Sequence, residues 1–132
     1  MSKPIDKPDF FSRAILTVSD VQASVDYYRA QLGFEVSWSH SNGAQVVIAQ
    51  VERAGIDLIL QCGSGIPSSA PAAVVAAELH AHVNLSSLHS ELAQRGARIR
   101  KTPFQVPWQT HVHQLEVEDL DGNLLIFWGD LP

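Results

Sequence analysis

Six histidines are the unusual enrichment of this 132-residue chain, and five of them follow residue 79. His80 and His82 stand two apart in one apolar stretch, and His111 and His113 repeat the spacing. On a strand, residues two apart share a face, so each pair can present two imidazoles together. Neutral imidazoles bind divalent metals, titrate near neutral pH and exchange hydrogen bonds with a ligand. Beside this stands the plainer reading, a polar surface or a dimer seam, and the lack of a carboxylate clearly in reach favours it. Trp38, Trp108 and Trp128 add three flat surfaces. Trp108 follows Pro107 in a loop-like segment, where an indole at a cavity mouth can stack on a planar or cationic ligand for ~0.5–2 kcal/mol. Trp38 alternates with Phe34 and Val36, so those three are expected on one face, either core or pocket. No Ser-His-Asp order and no glycine-rich phosphate loop stands out.

The elements that must position these residues repeat. Arg13–Val18 is β-branched and apolar, a strand. Ser19 or Asp20 then caps a helix whose Val21, Val25, Tyr28 and Leu32 form one buried stripe, and Gly33 stops it. Strands are expected at Phe34–Ser39, Gln45–Val51 and Ile56–Cys62, with Asn42-Gly43 as a hairpin turn. A second round follows: a strand at His80–Leu85, a helix capped by Ser86 or Ser87 with Leu88 and Leu92 inward, a stop at Gly96, then strands at Ala97–Val106, Val112–Glu118 and Leu124–Trp128. Glu91 and Arg95 are spaced for an i, i+4 pair. The sequence therefore predicts an α+β protein of two tandem βαβββ modules in one domain spanning 1–132. Module one covers about 13–62, a connector of glycine, proline, serine and alanine covers 63–79 (with a helical turn expected near Pro71–Glu78), and module two covers about 80–128.

Composition narrows the function classes. A hydrophobic share of 45% and a charged share of 17% fit a globular domain. The net charge of −5, with no basic cluster beyond Arg98-Ile-Arg-Lys101, argues against nucleic acid and anionic membrane as partners. No apolar run reaches the ~20 residues of a membrane span. The single Cys62 suits a reducing compartment, and a cytoplasmic location is expected.

Val18-Ser-Asp-Val-Gln-Ala-Ser-Val-Asp-Tyr-Tyr-Arg-Ala-Gln-Leu-Gly-Phe34, Pro107-Trp108 and Asp119-Leu-Asp-Gly-Asn-Leu-Leu-Ile-Phe127 together resemble the vicinal oxygen chelate superfamily, which includes glyoxalase I, extradiol dioxygenases and bleomycin resistance proteins. The resemblance runs from about Arg13 to Trp128 and implies two half-cups with the helices outside. Metal-dependent members place ligands on strands one, four, five and eight. At the matching positions this chain has Arg13, then Ile59 or Leu60 with Gln61 the polar neighbour, then His82, then Ile126. A guanidinium has no lone pair to give, so one clear ligand of four remains. The resemblance thus implies a metal-independent protein of the bleomycin resistance kind, with no cofactor, that sequesters an aromatic or cationic small molecule such as an antibiotic. The expected ligand-binding residues are His82, Trp108, His113, Trp38, Arg13 and Gln61, in a homodimer. An enzyme, a lyase, isomerase or dioxygenase with a divalent metal on His82 and His80, His111 or His113, is the first alternative. A non-catalytic dimeric scaffold is the second.

Overall fold

A computed structural model describes residues 12–62, 72–79 and 84–131. The elements run β1 (Ala14–Thr17), α1 (Val21–Ala30), β2 (Glu35–Asn42), β3 (Gln45–Arg53), β4 (Ile56–Gln61), β5 (Val74–Glu78), α2 (Leu85–Gln94), β6 (Arg98–Gln105), β7 (His113–Glu118) and β8 (Leu124–Gly129). They form two four-stranded sheets of the same design, ordered β1-β4-β3-β2 and β5-β8-β7-β6. In each, the first strand runs parallel to the last and the other pairings are antiparallel. The expected α+β fold of two βαβββ modules is what the chain adopts.

Local chemistry explains most element boundaries. Asp20 caps α1 by accepting the Ala23 N–H at 3.0 Å, while Ser19 gives its own N–H to Asp121 Oδ1 at 2.9 Å. The predicted stripe of Val21, Val25, Tyr28 and Leu32 is buried throughout. Asn84, rather than Ser86 or Ser87, caps α2 by accepting the Ser87 N–H at 2.8 Å; the amide oxygen stands one residue ahead of the first helical turn, and both serines fall inside the helix. Asn42 pairs with Gln45 as the last rung of the β2–β3 ladder, which makes Gly43-Ala44 the turn and not Asn42-Gly43.

The start of module two differs most from expectation. β5 is Val74–Glu78, inside the expected connector, where the sequence predicts a helical turn. Its alanines and valines pair in parallel with Leu124–Trp128, and ladder hydrogen bonds outweigh the helix propensity of the alanines. The strand expected at His80–Leu85 does not form over its described part, because Asn84 and Leu85 begin α2.

Both helices lie on one side of their sheets and share a single hydrophobic core with them. The two modules close on each other within the chain. Asn123 bridges them, its Nδ2 donating to Thr17 O at 3.2 Å and its Oδ1 accepting the Ala73 N–H at 2.8 Å. The Tyr27 hydroxyl donates to Glu118 O at 2.7 Å and accepts the Arg98 N–H at 2.9 Å. Among the described residues β1 and β5 each pair on one side only, and a groove lined by Ala14, Asp57, Ala76 and Glu78 runs between them.

Candidate functional site

The strands bury alternate residues against the helices: Leu16 on β1, Ala49 and Val51 on β3, Leu58 and Leu60 on β4, Leu115 and Val117 on β7, Leu125 and Phe127 on β8. The intervening residues point to the opposite, open face. On module one that face carries Ile15 and Thr17, Ile59 and Gln61, then Ile48 and Gln50, then Trp38, in cross-strand register. On module two it carries Val74 and Ala76, Leu124, Ile126 and Trp128, then Gln114 and Glu116. The middle of the open face is aliphatic and its flanks are polar.

Those flanks repeat one arrangement. On module one the Trp38 indole N–H donates to Gln50 Oε1 at 2.9 Å, and Gln50 Nε2 donates to Asp57 Oδ1 at 3.4 Å. On module two the Trp128 indole N–H donates to Gln114 Oε1 at 2.8 Å, and Gln114 Nε2 donates to Glu116 Oε2 at 2.8 Å. An indole can only donate and a carboxylate can only accept. Each amide is therefore held in one orientation from both ends. Gln50, Gln114 and Glu116 are buried despite lying on the open face. Arg100 reaches toward Glu116 and Glu118 at 3.7 and 3.9 Å, from a half-exposed side chain.

Of the residues singled out by sequence, Trp38 and Gln61 lie on the open face. Trp38 does not share a side with Phe34 and Val36. A register shift between Val36 and Trp38 sets Val36 opposite Val51 and Trp38 opposite Gln50, which face opposite ways; a bulge breaks the period of two. Trp108 is 65% exposed and meets Trp128 edge to face, with ring centroids 6.5 Å apart at 85°. Its loop is closed by the Val106 N–H to Val112 O bond at 3.0 Å and pinned by Gln105 Nε2, which donates to Gln109 O at 2.8 Å. Arg13 is exposed, one residue ahead of β1.

His113 differs from expectation. It shares its side of β7 with Leu115 and Val117, so it points to the helix side while Gln114 takes the open face. Its Nδ1 is buried without a hydrogen-bond partner among the described residues. His111 sits in the preceding turn at φ +71°, off the strand, so the two imidazoles do not form a same-face pair. His80 and His82 lie outside the described residues. Among the described residues no group of three or more His, Cys, Asp or Glu side chains is placed to hold a metal ion.

Gln50, Asp57, Gln114 and Glu116 were not singled out by sequence. Their signal was a polar residue alternating with buried apolar ones inside a strand. That signal reads as solvent exposure until the tryptophans are seen to cover them.

The fold matches that of known proteins. Similar solved structures include TioX from Micromonospora sp. ML1, with 19% identity over 90% of this chain and 97% of that one at a TM-score of 0.72. A glyoxalase/bleomycin resistance protein/dioxygenase from Nocardioides shows 23% identity over 99% of this chain and 86% of that one, at 0.71. A member of the same superfamily from Sphaerobacter thermophilus DSM 20745 shows 20% identity over 92% and 97%, also at 0.71. At such identities the likeness establishes the fold. No curated protein matches the chain in sequence. The family model covers residues 10–127, and the chain belongs to the glyoxalase/bleomycin resistance protein/dioxygenase superfamily.

Proposed function

We propose that this protein binds and sequesters a positively charged aromatic small molecule, of the kind some antibiotics are, on the open face of its sheets and performs no chemistry on it. The observation that carries the reading is the pair of indole–glutamine–carboxylate chains, Trp38–Gln50–Asp57 and Trp128–Gln114–Glu116. Each fixes an indole by its one polar atom, which leaves the ring faces for stacking, and Trp108 extends the second platform.

The charge preference follows from register. Glu35 pairs with Glu52, and Glu52 pairs with Asp57, so three carboxylates stand side by side across β2, β3 and β4. Like charges directly opposite one another destabilise a sheet, and a cationic ligand next to Trp38 relieves that repulsion. Metal independence is supported by the donor set. At the positions where the family resemblance implies ligands, Ile59 or Leu60 and Ile126 have no lone pair to offer, and neither does Arg13.

A homodimer completes the reading. Ile15, Val74, Trp38 and Trp108 are 56, 62, 43 and 65% exposed, and a second copy covers these apolar side chains and turns the open face into a closed cleft. The acidic balance keeps nucleic acid out of the partner set. Among the described residues no helix is long and apolar enough to cross a membrane, and an unpaired Cys62 fits the cytoplasm.

Tryptophan fluorescence during titration with cationic glycopeptides and cationic aromatic compounds tests this. Saturable quenching that Trp38→Ala weakens at least tenfold is the expected result. Absence of quenching across the panel supports a scaffold. Stoichiometric zinc, nickel, manganese or iron in untagged protein replaces this reading with the metal-dependent enzyme.

A further inference from the structure

On the helix side of the sheets, away from the open face, the two modules leave a cavity of about 200 Å³ between them. Leu32 and Phe34 wall it from the turn between α1 and β2, Leu88 and Leu92 from α2, and Ala77 and Phe127 from β5 and β8. Each of these belongs to, or packs against, the shared core, and the charged residues Arg53 and Glu78 complete the lining.

We propose that this seam cavity is a second ligand site, for a neutral, apolar molecule of about one aromatic ring. Size and polarity both point there. An apolar cavity of ~150 Å³ stays dry and accepts benzene, and this one is somewhat larger. Its cationic neighbour is already occupied: Arg53 donates through Nη1 to Leu32 O and through Nη2 to Glu91 Oε1, both at 2.7 Å. An anionic ligand would have to break that clasp, whereas a hydrocarbon leaves it intact; Glu78, the other charged lining residue, is exposed and keeps its charge in water. Because the walls come from both modules, an occupant binds the closed pair more tightly than the separated one and raises the unfolding temperature.

Toluene is the probe. Nuclear Overhauser contacts from its ring protons to the Leu88 and Leu92 methyl groups are expected in the unmodified protein. A rise in Tm of about 3–6 °C at a tenfold excess over Kd should accompany them. Trp38→Ala should keep both effects, since the site is independent of the open face. Ala77→Leu, or Leu88→Phe should the first fail to fold, should abolish both by filling the space. Contacts confined to Trp38 or Trp108, no contacts at all, or a Tm rise that survives in a folded filling variant would overturn the proposal. A failure of the open-face reading would leave the toluene result unchanged.

Discussion

Tyr28 donates its phenolic hydrogen to Asp119 Oδ2 at 3.0 Å, across 91 residues of chain, and both residues are fully buried. Asp119 also accepts the Asp121 and Asn123 backbone N–H groups on Oδ1, each at 2.9 Å, and Asn123 Nδ2 on Oδ2 at 2.9 Å. One carboxylate thus shapes the β7–β8 turn of module two and anchors the helix of module one. Burial, reinforced by the charge of Asp119, pushes the Tyr28 phenol far above its ordinary range, so it stays a donor at any physiological pH.

Tyr28→Phe should cost about 1.5–3 kcal/mol, the worth of a hydrogen bond to a charged acceptor. Asp119→Ala should cost more, because it removes the acceptor from the phenol, two backbone donors and one amide hydrogen of Asn123. Urea unfolding of the two variants checks the order, and an equal loss would show that the turn bonds contribute nothing.

Glu91 is held between Arg53 at 2.7 Å and Arg95 at 2.9 Å, and Arg95 also donates to Ala30 O at 3.3 Å. The hydrogen bond from Arg53, assisted by Arg95 and opposed by partial desolvation, lowers the Glu91 pKa. A depressed carboxylate contributes stability that is present above its unfolded pKa of ~4.3 and lost as pH falls through the folded value. With over a third of the side chain exposed, solvent screening limits the effect to about 1 kcal/mol or less. Glu91→Gln should therefore be less stable than the parent at pH 7. The gap should close below pH 4, and added salt should shrink it at pH 7. Thermal melts across pH 3–8 measure it.

Gly33 ends α1 at φ +75°, and a Cβ there would lie 2.6 Å from Arg53 Nη1. Gly33→Ala should destabilise by about 1–2 kcal/mol from the left-handed backbone and should loosen the arginine clasp as well. If the clasp is displaced, Gly33→Ala combined with Glu91→Gln will cost less than the two single changes added together.

Trp38→Phe keeps a ring but strips the donor from Gln50 Oε1, which is buried. A cost of about 1–2 kcal/mol in stability is expected. Gln50→Leu in the same chain should recover part of it, since the unsatisfied oxygen is then gone. Chemical denaturation of the single and double variants decides this; a double variant no more stable than Trp38→Phe would mean the amide is solvated.

Helices and most strands were legible because they depend on local pattern. The Val21, Val25, Tyr28 and Leu32 stripe, the stops at Gly33 and Gly96, and the hairpin strands are consequences of period, caps and backbone freedom in the sequence itself. β5 was not, because Val74–Glu78 is alanine-rich and becomes a strand only by pairing with Leu124–Trp128, some fifty residues on. The site was half legible. Trp38, Trp108 and Gln61 could be suspected by residue type. Yet the bulge after Val36 decides which way Trp38 points, and the start of β7 turns His113 away and Gln114 outward. Alternation within a strand is local, whereas its phase is set by neighbours distant in the chain. A slip of one residue exchanges core for open face, so only the assembled sheets determine which side chains meet a ligand.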